Sequence, residues 1–233
     1  MEEHFFRLDS NPIEESNIVA MSNLGPCVLE GRLVRLEPLR KKHTDELTVA
    51  AGRLDFGWAM SPLLSRDDVV MRIQRTLELE NKNEGYAFIV RLKNEDRIVG
   101  STAYFGIVPE HRRAEIGYTW YEQSLWGTYV NPESKYLLLK HAFEDWNANR
   151  IQISTDVKNI HSQKAIQKLG AQYEGTLRYH AIRPDGSIRD TMMYSVTCID
   201  WPIVKQTLEA RLANFAGRTS EQNVDLDQVL EEH

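Results

Sequence analysis

The 233-residue sequence lacks the features that mark membrane, secreted and disulfide-rich proteins. No apolar run reaches the 18 or so residues that a transmembrane helix needs. The opening stretch, MEEHFFRLDSNPIEESN, is acidic and has no apolar signal core. The two cysteines, Cys27 and Cys198, are too far apart for a CxxC metal motif and too few for a disulfide framework. We therefore expect a cytoplasmic protein with no membrane association and no metal site.

An excess of basic residues is also missing. The chain has 28 Lys and Arg against 34 Asp and Glu, a net charge of −6, and its basic residues are scattered. A nucleic-acid surface needs clustered positive charge, so no nucleic-acid partner is expected. The negative balance mildly favours an amine ligand, although net charge says little about one pocket.

The hydrophobic content, 42% of residues, is enough for one core with short appendages. Residues 1–26 show no sustained hydrophobic period and are predicted to form an extension. Residues 27–200 are predicted to form the domain. Residues 201–233 are predicted to form a C-terminal helix and an acidic tail, and that helix could dock on its own domain or on a second subunit of a homodimer.

Strand and helix patterns follow one another along the domain. CVLEGRLVRLEPL predicts a first strand, and two helices are expected between Lys41 and Asn81, the second capped by Ser65. YAFIVRL, RIVGSTAYFGI and AEIGYTWY predict an antiparallel meander. A helix, the strand NRIQISTDV, the helix NIHSQKAIQKLGA and a hairpin turning at PDG complete the domain. This order predicts an α+β fold with one mixed, mostly antiparallel central sheet flanked by helices on both faces.

The segment SLWGTYVNPESKYLLLKHAFEDW is typical of a helix whose start faces an anion. Asn131 is predicted as its N-cap and Pro132 as its first helical residue. The unpaired N–H groups of a helix start attract phosphates, particularly where a strand leads directly into the helix. The alternative is a capped amphipathic helix without a ligand, since Leu138, Leu139, Ala142, Phe143 and Trp146 form an apolar face.

A downstream motif gives this segment a context. In TDVKNIHSQKAIQKLGAQYEGTLR, the spacing of Asn159, Ser162, Ala165-Ile166, Lys168-Leu169-Gly170-Ala171 and Glu174-Gly175 resembles the GNAT superfamily of acetyl-CoA-dependent N-acetyltransferases, in particular its RimJ/RimL-like branch. The resemblance covers about residues 28 to 202. AEIGYTW and WGTYVNPESKYLLLKHAFE fall where the family has its cofactor-binding strand, pyrophosphate loop and following helix.

The resemblance implies that acetyl-CoA is the cofactor. It assigns the pantetheine to the backbone of one strand, the pyrophosphate to the loop, and the cofactor arm to the start of the next helix. The residues implied are Ile116, Tyr118 and Trp120; Trp126, Gly127, Thr128, Tyr129, Val130 and Asn131; and Asn159 and Ser162. Trp126, Tyr129 and Asn131 depart from the family's Gln/Arg-x-x-Gly-x-Gly/Ala pattern, so the Tyr129 ring must turn away from the phosphates. Asn159 could equally be a helix N-cap. Lys135 and Arg178 could touch phosphates, but a solvated surface position is favoured for both.

The resemblance also implies catalytic candidates. Many members use a tyrosine as the acid, at a position that is Ile166 here, and Ser162 is the remaining candidate for that role. The alternative is that Ser162 only forms a hydrogen bond with backbone groups at the start of the helix. Glu115 is the first candidate for the general base, unless it pairs with Arg112 or Arg113. His180 is the second, unless it is structural. Glu174 and Asp190 follow.

The expected reaction is acetyl transfer from acetyl-CoA to a primary amine, by direct attack on the thioester. The acceptor is a peptide or protein N-terminal α-amine or a small-molecule amine. Roughly a sixth of α-amines are neutral at pH 7, against about 0.04% of lysine amines, so the lack of an obvious acid–base pair favours an α-amine. Acceptor choice is expected to lie in the two helices from Lys41 to Asn81 and in the hairpin 175–197, with Phe56 and Trp58 as pocket or core residues. The alternative is a catalytically weak acyl-CoA-binding or regulatory protein.

Overall fold

A computed structural model describes residues 21–54 and 63–215. Phe56 and Trp58, most of the predicted N-terminal extension, and the acidic tail from residue 216 lie outside the described residues. The predicted domain limits, 27 and 200, stay a prediction. No helix in the described part of the chain is long and apolar enough to cross a membrane.

Eight strands form one sheet in the order β1-β2-β3-β4-β5-β6-β8-β7. Their bounds are β1 Leu29–Glu30, β2 Val34–Pro38, β3 Gly85–Leu92, β4 Arg97–Val108, β5 Arg113–Tyr121, β6 Arg150–Asp156, β7 Gln172–Ile182 and β8 Ile188–Thr197. Every neighbouring pair is antiparallel except β5 and β6, which a helix connects on one face of the sheet. The mixed, mostly antiparallel sheet that the sequence predicts is therefore confirmed.

The helices of the described residues are α1 Thr44–Ala51, α2 Arg66–Asn81, α3 Val130–Lys140, α4 Ile160–Gln167 and α5, residues 201–215. The predicted cap of α2 is confirmed: Ser65 accepts the N–H of Asp68, whose carboxylate accepts the N–H of Ser65. Short 3₁₀ turns precede α1 and α3.

The predicted first strand is two strands with a turn at Gly31. A side chain at Gly31 would bring its Cβ within 2.5 Å of the Glu133 carboxylate and 2.7 Å of the Val34 carbonyl. Glycine is therefore the residue that lets this turn approach α3 so closely. Glu133 in turn accepts the N–H of Leu33 at 2.9 Å.

Apolar clusters cover both faces of the sheet. The larger cluster contains Trp146, Leu138 and Ile116 together with residues of the other strands, and the smaller one joins α1 and α2 to the opposite face. Trp201 and Leu208 of α5 belong to the larger cluster. The sequence allows the C-terminal helix to dock on its own domain or on a second subunit, and in the structure it packs on its own domain.

The start of α3 differs from the prediction. The helix begins at Val130, one residue before Asn131, and Tyr129 is its N-cap without a side-chain hydrogen bond. Asn131 as N-cap and Pro132 as first helical residue are therefore wrong. The reason is local: the Thr128 hydroxyl donates to the Leu125 carbonyl at 2.7 Å and lies 3.4 Å from the Val130 N–H, so the chain is already turning at Tyr129. A 3₁₀ turn, Gln123–Leu125, also separates β5 from the helix.

Candidate active site

The parallel pair β5–β6 opens the sheet. The two strands are paired only at Arg113–Arg150, Ala114–Ile151 and Glu115–Gln152, after which β5 runs on to Tyr121 without a β6 partner. A bulge lies in the unpaired part, where Tyr118 has a φ of 51° and Tyr118 and Thr119 together face Thr102 of β4. The backbone of Ile116, Tyr118 and Trp120 therefore lies along the opening, as an extended ligand would need.

The loop between β5 and α3 ends at the same opening. Gly127 has a φ of 80°, the left-handed conformation that glycine adopts without strain, and a Cβ at this position would meet open space. The first turn of α3 leaves backbone N–H groups without helical partners, as every helix start does. Pro132, the third residue of the helix, contributes no N–H, so this helix start offers fewer hydrogen-bond donors than a turn without proline.

The ring of Tyr129 is accounted for by protein contacts. It is half-buried and packs against the larger apolar cluster. Burial, with the Glu133 and Glu95 carboxylates as further causes, raises the pKa of its phenol. Tyrosine can therefore stand where the family has glycine, because its ring packs against the core.

Trp126 connects the loop to α4. Its indole stacks on the His161 ring with 4.5 Å between the ring centroids, and its Nε1–H donates to the Tyr121 carbonyl at 3.2 Å. The start of α4 is fixed by Asn159, whose Oδ1 accepts the Ser162 N–H at 2.9 Å. Of the two roles weighed for Asn159, the N-cap is confirmed. Ser162 is half-buried on this first turn.

Glu115 stands where the strands part. Its carboxylate accepts hydrogen bonds from Gln152 Nε2 at 2.6 Å and from the Ser154 hydroxyl, both on β6. The alternative of an ion pair with Arg112 or Arg113 is wrong, because no such pair occurs among the described residues and Arg112 instead donates to Asn147. The parallel register explains this, since Gln152 is directly opposite Glu115.

The other base candidates do not join Glu115. His180 is exposed on β7 and contacts the Thr191 hydroxyl at 3.1 Å, and β6 and β8 separate its strand from β5. Glu174 is ion-paired with Arg150 and accepts the Ser195 hydroxyl, which lowers the pKa of Glu174 to about 2. Such a carboxylate is a very weak base, so the reserve role predicted for Glu174 is wrong. Asp190 accepts the Tyr179 N–H.

Lys135 is not the solvated residue that the sequence predicts. It is 4% exposed, and its Nζ donates to the hydroxyls of Thr102 at 3.1 Å and Thr119 at 2.5 Å. Burial lowers the pKa of Lys135 to about 7. The sequence does contain the signal: Lys135 occupies the first position of the apolar stripe that continues at Leu138, Leu139 and Ala142.

A shallow pocket, open to solvent, lies on the opposite face of the sheet between α2 and strands β3 to β5. Arg72, Arg75, Phe105 and Tyr118 are among its lining residues, none of which is acidic. The Arg72 guanidinium lies 5.1 Å from the centroid of the Tyr118 ring. Tyr118 therefore belongs both to the strand opening and to this pocket. Periodicity places Arg72 and Arg75 on α2 but does not reveal that they face a pocket.

Similar proteins agree with this architecture. "Uncharacterized N-acetyltransferase p20" of Bacillus licheniformis is 30% identical over 124 residues, 53% of this chain and 68% of p20. The ribosomal-protein-serine acetyltransferase of Escherichia coli (strain K12) is 27% identical over 114 residues, 49% of this chain and 62% of that protein. The crystal structure of a GCN5-related N-acetyltransferase from Brucella melitensis has a TM-score of 0.73 at 28% identity and covers 80% of this chain and 86% of its own. The fold, site and relatives define an acetyltransferase.

The family follows from the sequence profile of the acetyltransferase (GNAT) domain, which matches residues 33–172. This range contains the strand opening, the loop, α3 and α4. The chain therefore belongs to the GNAT acetyltransferase family.

Proposed function

We propose that the protein transfers an acetyl group from acetyl-CoA to a primary amine, most readily the α-amine of a peptide or protein N-terminus or of a small molecule. The observation that carries the proposal is the opening between β5 and β6 beside the start of α3. An extended amide-containing ligand fits an unpaired strand edge, and a pyrophosphate fits a helix N-terminus. Acetyl-CoA, when bound, supplies the thioester.

The binding residues would be those implied by the sequence. Backbone groups of Ile116, Tyr118 and Trp120 pair with the pantetheine, and an N–H of this strand holds the thioester oxygen as charge develops. The loop from Trp126 to Asn131 receives the pyrophosphate. Asn159 and Ser162 lie at the start of α4, on the β6 side of the opening, and the Ser162 hydroxyl is the proposed donor to the cofactor arm.

Glu115 is the proposed general base. It lies at the point where the strands part, and its two β6 partners hold the carboxylate in one orientation. Its strand neighbours Ala114 and Ile116 are buried in the larger cluster, so the Glu115 side chain is directed to the opposite face, which also carries the pocket. A Glu115→Gln variant keeps the geometry and removes the base.

The pocket is the proposed acceptor site. Arg72 and Arg75 give it positive charge, in contrast to the net charge of the whole chain. Positive charge near a bound amine lowers the pKa of that amine and enriches the neutral nucleophile. The same charge favours acceptors that carry a carboxylate or another anionic group near the amine. The E. coli relative, by its name, acts on a ribosomal protein, which supports a protein N-terminus and the RimJ/RimL-like branch for this chain.

Two measurements on the purified protein test the proposal. Titration with acetyl-CoA and with CoA should raise the melting temperature, because a ligand that binds the folded state stabilises it by mass action. Thiol release with acetyl-CoA and a panel of amines should then show turnover that Glu115→Gln reduces about 100-fold. No stabilisation at millimolar ligand would refute the proposal. Stabilisation without turnover would instead favour the acyl-CoA-binding or regulatory alternative.

We also propose a reducing, cytoplasmic setting, because Cys27 and Cys198 are both free thiols. The homodimer stays a prediction, and the molar mass of the protein in solution is the measurement that decides it.

A further inference from the structure

Lys135 is a buried amine that has no role in the reaction proposed above. It lies on α3 and faces the sheet, and its hydrogen-bond partners in the described part of the chain are the two threonine hydroxyls. No described carboxylate forms an ion pair with it. Burying an ammonium without a counter-ion is costly, and an apolar side chain would fill this position of the stripe without that cost.

The threonine partners connect this amine to the strand opening. The bulge at Tyr118 shifts the alternation of β5, so that Thr119 faces α3 together with Thr102 of β4. The Thr102 and Thr119 hydroxyls are 2.8 Å apart. Thr102 and Lys135 are buried, whereas Thr119 is half-buried and lies in the part of β5 that has no β6 partner. Thr119 is therefore the member of this hydroxyl–amine cluster that lies on the unpaired part of β5, where the thioester is proposed to bind.

We propose that Lys135 supplies the proton needed by the departing thiolate and that Thr119 passes it on. The inference rests on the proposed function. As the acceptor nitrogen forms its bond to the acetyl carbon and the C–S bond breaks, the sulfur keeps the bonding electron pair. The Thr119 hydroxyl gives its proton to that sulfur and takes one from the Lys135 ammonium, which becomes a neutral amine. The surplus proton of the acceptor nitrogen leaves through Glu115, and Lys135 is reprotonated from solvent between turnovers.

The acidity of the cluster suits this transfer. An ordinary lysine, with a pKa of about 10.4, would hold its proton against a thiolate whose thiol has a pKa of about 8.5. With burial lowering the pKa of Lys135 to about 7, the transfer runs downhill. The groups of β4 and β5 that face Lys135, Thr102 and Thr119, do not titrate in this range. Nearby, burial raises the pKa of Tyr121, which stays neutral, and Glu133 of α3 is bonded to the turn at Leu33.

The test compares Lys135→Met with Lys140→Met, which removes an exposed lysine of the same helix. With acetyl-CoA, Lys135→Met should lower kcat about 100-fold or more, while the affinity for CoA stays within about twofold. The fall of kcat/KM on the alkaline side of neutrality should be present in the wild type and in Lys140→Met and should disappear in Lys135→Met. Thr119→Val should lose activity in the same way, because it removes the hydroxyl relay.

A change of leaving group separates proton supply from a structural role. With an acetyl thioester of an acidic aromatic thiol, the thiolate leaves without a proton, so the loss in Lys135→Met should shrink to less than about tenfold. An equal loss with both donors, or wild-type kcat in Lys135→Met, would overturn the inference while leaving the proposed function standing. A wild type without turnover would overturn both.

A readout without turnover is the titration of the lysine amines by NMR. In the ligand-free protein one lysine should titrate near neutral pH, and its signal should be missing in Lys135→Met. A spectrum in which every lysine amine titrates like an ordinary lysine counts against the proposal.

Discussion

Lys135 makes the stability of the folded state depend on pH in an unusual direction. Its pKa is about 7 in the folded chain and about 10.4 when unfolded, so between these values the unfolded state binds more protons. The free energy of unfolding therefore rises with pH across that window. The cost of burying the charged amine is fully present below pH 7.

Lys135→Met should consequently unfold less readily than the wild type at pH 7, by on the order of 2–4 kcal/mol. Thr102 and Thr119 keep their mutual hydrogen bond in the variant. The advantage should shrink as the pH approaches 10, as measured by urea unfolding at several pH values. For Lys140→Met, the difference from the wild type should stay small and flat; a flat difference in Lys135→Met would contradict the buried titration.

Glu133 ties α3 to the turn between β1 and β2. Its Oε1 accepts the Leu33 N–H, whereas Oε2 is buried without a hydrogen-bond partner among the described residues, and burial raises the pKa of the carboxyl. Glu133→Ala should lower the free energy of unfolding by about 2–3 kcal/mol, because it strands a backbone donor and leaves a cavity.

The matched variant Glu133→Gln retains the acceptor oxygen and should stay within about 1 kcal/mol of the wild type. Denaturant unfolding of the two variants decides between a hydrogen-bond role and a charge role. An equal loss in Glu133→Gln and Glu133→Ala would show that the negative charge is what matters, because both variants remove it.

At the scale of elements, the contact between Trp126 and His161 joins the loop between β5 and α3 to α4. Trp126→Ala should weaken CoA binding several-fold, because the loop loses its stacked support, while global stability changes by about 1 kcal/mol or less, since Trp126 is exposed. Trp126→Phe keeps a ring for stacking and loses only the bond to the Tyr121 carbonyl. Calorimetric titration with CoA should place it between the wild type and Trp126→Ala.

The elements themselves are largely predictable from sequence. Ser65 and Asp68 specify the start of α2, and alternation specifies β3, β4 and β5, because these signals are local. The start of α3 is less predictable from sequence. Asn131-Pro132 is a strong cap signal, but the hydrogen bonds of Thr128 and the bond from Glu133 to the β1–β2 turn favour an earlier start. Contacts between distant segments decide that boundary.

The site is predictable in outline and not in its partners. Motif spacing places Glu115, the loop and Asn159 at one opening, yet the partners of Glu115 depend on the register of β5 against β6. The burial of Lys135 also depends on the Tyr118 bulge, which turns Thr119 toward α3. A backbone irregularity of one residue leaves almost no trace in hydrophobic alternation.

For the whole molecule, charge is distributed unevenly: the chain carries −6, while the pocket beside Tyr118 is lined by two arginines and no acid. Arg75→Gln, which changes an exposed residue of α2, should lower kcat/KM about tenfold for acceptors that bear a carboxylate. It should leave uncharged acceptors nearly unaffected, and added salt should reduce the difference. Equal effects on both acceptor types in the steady-state assay would argue against the pocket as the acceptor site.

The three residue pairs that join β5 to β6 have a mechanical consequence. Among the described residues, strands β1–β5 on one side and β6–β8 on the other are connected within the sheet only through these three pairs. A ligand that contains amides and binds between β5 and β6 would replace the missing strand-to-strand hydrogen bonds and connect the two parts of the sheet. The proposed cosubstrate would in this sense be the strand that completes the sheet.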